Sequence, residues 1–157
     1  LALIAYYAFW VALVVFVPFA LWKGAGPERL GALVILAMTA TALTLVMILG
    51  QEGLRASSWL ILTDVVGFIG FGYLALHSMR SWPLWCTALQ LLALLSHVAH
   101  FSWAGISPLA YAYMRGTPTF FALFVLCAAT LSVLRRKHEG LHDRMWQDWK
   151  ALRRGGQ

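Results

Sequence analysis

Four polar side chains are carried into apolar runs between Ser58 and Phe101: Asp64, Gln90, His97 and His100. Ionisable groups in such surroundings are costly, face the interior of a helix bundle and pair with one another. A carboxylate beside an imidazole supports proton exchange near neutral pH, or a hydrogen bond to a carbonyl such as that of a quinone. Two histidines three residues apart and one carboxylate also match a facial metal set in residue type. Haem ligation by two histidines is disfavoured because His77 belongs to the other end of its helix, and Met47 would serve as a second ligand only through packing. The plainest alternative is that the cluster ties two helices together, a common use of polar groups in bundles. The candidate cofactor-binding set is therefore Asp64, Gln90, His97 and His100, with the cofactor unspecified and no catalytic or metal-ligating residue assigned.

The elements that position these residues follow from composition. Of 157 residues, 61% are hydrophobic and 11% charged, which places the chain among membrane proteins rather than soluble domains. The length accommodates about five spans of roughly 20 residues. The expected fold is an all-α membrane protein, one bundle of about five transmembrane helices followed by a C-terminal cytoplasmic amphipathic helix. The formal charge of +6 does not call for a nucleic-acid partner, because seven of the twelve basic residues follow Leu134 and come after a span. Cys86 and Cys127 lie in apolar runs without metal-type spacing and read as small buried hydrophobes.

Expected spans cover 1–22, 30–50, 58–78, 82–101 and 119–134, forming a transmembrane domain over 1–134. The first lacks a basic leader and reads as a span rather than a signal peptide. Pro18 lies in its last turn, and Pro27 followed by Glu28 suits the opening of the second helix. The second span is dotted with Ala37, Thr39, Ala40, Thr41 and Thr44, which favour close helix approach in lipid. In the third, Asp64, Gly67, Phe71, Thr63 and Gly70 fall within an arc of about 120°, a small and polar face to be turned toward protein. The connection Ser102 to Pro118 is expected to hold a short interfacial helix capped by Ser107, with Pro108 at its first position. In the tail, 135–157, Leu141, Met145, Trp149 and Leu152 share one helical face, a basic amphipathic helix suited to an anionic leaflet or a partner protein.

Charge sets the orientation. Lys23, Arg29, Arg80 and the tail group on one side against Arg55 and Arg115 on the other, so the N-terminus is expected outside and the C-terminus in the cytoplasm. Spans three and four then bring Asp64, His97 and His100 to one depth near the outer surface. Gln90 lies two turns deeper and within about 20° of His97 around the helix.

Other catalytic signatures are absent: there is no G-x-S-x-G elbow, H-E-x-x-H pair, phosphate-binding glycine loop or cysteine-rich metal spacing. The spacing of Ala93 and His97 resembles the ligand motif of bacterial antenna polypeptides, where a small residue one turn before His makes room for a pigment ring. The stretch Leu76-His-Ser-Met-Arg-Ser-Trp-Pro-Leu-Trp85, with Gln90 and His97 after it, resembles small multi-spanning bacterial inner-membrane proteins, which implies a bacterial plasma membrane and carries no activity. Length and span count are similar to those of the tryptophan-rich sensory protein and translocator family, but its Pro-rich tryptophan motif is missing from the first loop. The expected function is that of a non-catalytic accessory or assembly subunit in a larger inner-membrane complex, respiratory or photosynthetic, with lipid and other membrane subunits as partners. The alternatives are a redox protein binding a quinone, haem, pigment or metal near Asp64, His97 and His100, and a small transporter.

Overall fold

The computed structural model describes residues 2–56, 58–102, 107–139 and Trp146. Among them the chain is helical throughout, with α1 over Ala2–Lys23, α2 over Gly26–Ala56, a 3-10 turn at Ser58–Leu60, α3 over Ile61–His77, α4 over Trp82–Ser102 and α5 over Pro108–His138. Each helix begins and ends where local chemistry allows it. Lys23 closes α1 and complements its dipole, and Pro27 sits in the first turn of α2, where a missing N–H costs nothing. Near its far end α2 breaks at Gly50, whose φ of 69° is a conformation that only glycine adopts without a Cβ penalty. Pro83 likewise falls in the first turn of α4. Ser107 caps α5 by accepting a hydrogen bond from the Ala110 N–H at 3.2 Å, with Pro108 next to it.

Consecutive helices pack side by side, and α1 closes the arrangement against α5, so the five form a ring in which α3 lies between α2 and α4. Small residues line the seams: Ala20, Ala32, Cys86, Ala93 and Ala122 are completely buried, beside Ile35, Phe71, Leu74, Leu123 and Leu126. In lipid there is no hydrophobic drive between helices, so such close backbone approach is what holds a bundle. The outward faces are as apolar as the interior, with Val11, Val14, Leu92, Leu95, Val98 and Phe121 all more than half exposed. A soluble domain does not present such a surface.

Among the described residues three helical segments are long and apolar enough to cross a membrane, Gly26–Gly50, Trp82–Ser102 and Gly116–His138. Two shorter apolar segments, Tyr7–Lys23 and Ile61–His77, complete the ring. Gly67 on α3 shows how tightly it is drawn together: a Cβ there would lie 2.6 Å from the Met38 Sδ on α2 and 3.0 Å from the Gln90 Cδ on α4.

One expectation is corrected. The segment before Pro118 is not a separate short helix, because α5 runs unbroken from Pro108 to His138 with Pro118 inside it. Proline is tolerated there because neighbouring helices hold the backbone on both sides of it. The tail expected to form an amphipathic helix lies outside the described residues except for its start, which completes α5, and Trp146. Trp146 is extended, paired in an isolated antiparallel bridge with Ser78, and its indole lies against Gly26.

Candidate functional site

Asp64 sits in the first turn of α3, His97 near the end of α4 and Tyr111 in the first turn of α5, so three helix ends converge at one pole of the ring. His97 is 0% exposed and Asp64 3%. His97 Nε2 lies 2.8 Å from Asp64 Oδ2, and its Nδ1 lies 2.6 Å from the Tyr111 hydroxyl oxygen. With Asp64 ionised and the imidazole neutral, Nε2–H donates to the carboxylate and Nδ1 accepts the Tyr111 O–H. The result is a continuous hydrogen-bonded chain from carboxylate to phenol. It orients the imidazole from both sides, and a proton passing along it would shift the negative charge from the carboxylate to the phenol.

Each member is placed by its own helix. The Thr63 hydroxyl bonds back to the Leu60 carbonyl at 2.7 Å and tightens the entry to α3 just before Asp64. Ser96, buried beside His97, donates to the Ala93 carbonyl at 2.6 Å, so its hydroxyl is satisfied within α4. Ala93 itself is completely buried, so the space one turn before His97 is filled by helix packing.

Of the four residues singled out from the sequence, the structure joins only Asp64 and His97 directly. His100 stacks on Tyr111, ring centroids 4.2 Å apart and planes within 16°, and its Nδ1 has no hydrogen-bond partner among the described residues. Gln90 is completely buried with both side-chain heteroatoms unpartnered among the described residues, and it packs toward Gly67 instead of entering the chain.

This geometry bears on the cofactors considered. An imidazole with both nitrogens engaged ligates a metal, haem iron or pigment magnesium only by surrendering a hydrogen bond. Among the described residues no three His, Cys, Asp or Glu side chains converge as a metal-binding set. Met47 is 83% exposed on the outer face of α2, and His77 belongs to the opposite pole, stacked on Tyr73.

Two polar residues with buried hydrogen-bond partners lie outside the set singled out from the sequence. Tyr111 had been read as part of an interfacial connection. The signal was a face: Pro118, Ala122, Leu126 and Ala129 form the buried stripe of α5, and Tyr111 lies seven residues before Pro118 on that same stripe. Glu28 was read as a helix-opening acid. It is completely buried at the opposite pole, where it accepts the Trp82 indole N–H at 3.0 Å. No protein-family model, curated protein or solved structure matches the chain, so its function is to be read from the buried chain of Asp64, His97 and Tyr111.

Proposed function

We propose that this chain is a five-span protein of a bacterial plasma membrane, N-terminus outside and C-terminus cytoplasmic, that acts as a non-catalytic accessory or assembly subunit of a larger membrane complex. The observation that carries this reading is the saturation of His97. Its ring is completely buried, with one nitrogen on Asp64 and the other on Tyr111. Both partners are side chains of neighbouring helices and the ring has no exposed surface, so these groups serve to join α3, α4 and α5.

The ring supports the span count, because α1 and α3, which carry the shorter apolar segments Tyr7–Lys23 and Ile61–His77, are each flanked by two of the helices that carry the long ones. Orientation rests on charge. Lys23, Arg29, Arg80, Arg135, Arg136 and Lys137 belong to the pole opposite Asp64, and the basic pole of a membrane protein is cytoplasmic.

The test is migration. Native membranes are solubilised in mild detergent, complexes are separated by size, and the chain is located with the absorption spectrum of its band. The expected result is a colourless chain within an assembly several times its own mass of 17.5 kDa, with named co-migrating subunits. Migration alone, with a bound chromophore or quinone, overturns this reading.

One observation favours a second reading, that of a quinone-associated redox protein. His100 is half-buried, its Nδ1 is unpartnered among the described residues, and its ring rests on the same Tyr111 that bonds His97. On this reading His100→Ala loses a co-purifying quinone while Tyr111 and His97 keep the fold. A small transporter has less support. Below Gln90, the Thr87 hydroxyl is spent on the Pro83 carbonyl and Tyr73 lies on the outer face, so neither extends a polar path from Gln90 among the described residues.

A further inference from the structure

The pole opposite Asp64 holds a second polar constellation that the function above does not use. A cavity of about 390 Å³ lies where the start of α2, the turn between α3 and α4, and the end of α5 meet, bordered by Glu28, Arg80, Ser81, Trp82, Ser132 and Arg136. Its depth is set by the helices themselves. The apolar segments Gly26–Gly50 and Trp82–Ser102 begin here and Gly116–His138 ends here, so the cavity sits at the level of the lipid head groups.

Its chemistry is that of a site for one negative charge. Its described lining sets two guanidiniums against one carboxyl group, so a phosphate meets donors from both arginines. The Glu28 carboxyl accepts the Trp82 indole N–H on Oε1, while its buried Oε2 has no partner among the described residues. Arg80 and Arg136 each make another interaction as well, and five N–H donors per guanidinium serve that and a phosphate together. The Ser132 hydroxyl hydrogen is already given to the Ala128 carbonyl at 2.9 Å, so Ser132 faces a ligand as an acceptor. Donors for a phosphate, from the arginines and Ser81, are thus set beside acceptors for hydroxyl hydrogens, from Glu28 and Ser132. Along α5 the wall continues toward the bilayer through Val125 and the exposed Ala128, which is where acyl chains would lie.

We propose that this cavity binds the head group of an anionic phospholipid, a singly charged phosphodiester carrying hydroxyl donors, with Arg80 and Arg136 on the phosphate and Glu28 and Ser132 on the hydroxyls. Phosphatidylglycerol has this chemistry. Phosphatidylcholine has the phosphate but neither the net charge nor a donor. Basic pockets between helices at the cytoplasmic level are the usual place for such recognition. The volume is within the range of small-ligand sites, about 300–1,000 Å³.

The experiment uses the full chain, stripped of lipid in detergent and titrated with phosphatidylglycerol or phosphatidylcholine, bound lipid being counted by native mass spectrometry. One phosphatidylglycerol per chain is expected, preferred over phosphatidylcholine by at least about tenfold, an energy difference of about 1.4 kcal/mol. The double variant Arg80→Gln, Arg136→Gln is expected to lose that preference, and Arg136→Lys to retain most of it. Ser132→Leu, which fills the cavity without changing any charge, is expected to reduce binding while circular dichroism still reports a helical fold. Inorganic phosphate serves as the soluble arm: if it displaces phosphatidylglycerol at comparable concentration, the site reads a free phosphate and the lipid assignment falls. Equal binding of the two lipids, or unchanged binding by both the double variant and Ser132→Leu, overturns the proposal as well.

Discussion

The Tyr111 hydroxyl and His97 Nδ1 share a hydrogen bond across 2.6 Å, joining the first turn of α5 to the end of α4, fourteen residues away along the chain. Because the other ring nitrogen of His97 is bonded to Asp64, this single phenol converts a two-helix contact into a clasp on three helices.

Replacing Tyr111 by Phe keeps the ring that stacks on His100 and removes only the hydroxyl, leaving a buried imidazole nitrogen without its donor. A loss of about 1–2 kcal/mol is expected. It should be local: hydrogen exchange should rise at the start of α5, before Pro118, and change little toward Arg135. Uniform protection across α5 in this variant would show that the bond does not hold that segment.

Asp64→Asn retains an acceptor for the His97 Nε2–H and should cost about 1 kcal/mol, while Asp64→Ala leaves the imidazole N–H unpaired and should cost about 2–3 kcal/mol. In a double-mutant cycle with His97→Ala the coupling is expected at about 1–2 kcal/mol, toward the upper end for interhelical hydrogen bonds in membranes. Unfolding in mixed detergent micelles gives the value. Simple additivity of the two single variants contradicts the pair.

Gly67→Ala places a methyl group 2.6 Å from the Met38 Sδ and 3.0 Å from the Gln90 Cδ, so the Met38 side chain has to shift. Overpacking of this kind costs about 1–3 kcal/mol. Met38 is the flexible neighbour, and Met38→Ala in the same chain should restore at least half of the lost thermal stability. A Gly67→Ala protein that melts with the unaltered chain would show that this approach is loose.

Trp82→Phe preserves an aromatic ring against Phe71, with which Trp82 makes an edge contact at 6.3 Å, but removes the indole donor to Glu28. The carboxylate is then buried without that partner, and a loss of about 2–3 kcal/mol is expected. Glu28→Gln, whose amide oxygen still accepts the indole hydrogen, should fall within about 1 kcal/mol of the unaltered chain. Denaturant unfolding of both variants decides the matter, and the reverse order would remove Glu28 from the account of that pole.

Sidedness is read from single cysteines placed in a background with Cys86 and Cys127 changed to Ala. Lys23→Cys should react with an impermeant maleimide only after cells are opened, and Arg55→Cys in intact cells. The opposite pattern inverts the orientation.

Much of the site was legible along the chain. Asp64 and His97 stand out because a charge in an apolar run needs a partner, and the arc of Thr63, Asp64, Gly67, Phe71 and Gly70 marks the face of α3 that turns inward. In the structure Thr63, Asp64, Gly67 and Phe71 are buried. Gln90 and His100 share the helix with His97 but not its bonds, since a common face places side chains near one neighbour without choosing which of them touches it. The start of α5 was hidden by Pro118, which reads as a stop in sequence yet is carried inside a continuous helix once neighbours support it.

Composition and periodicity depend on each residue's own chemistry and near neighbours, so the helical class, the apolar segments, the basic pole and the need to pair Asp64 all follow from the chain written as a string. Partner choice does not. Tyr111 reaches His97, and Glu28 reaches Trp82, fifty-four residues away, only because α1 closes on α5 and seats every helix end among its neighbours. In lipid, where apolar burial does not rank one helix arrangement above another, small-residue packing and a few hydrogen bonds make that selection.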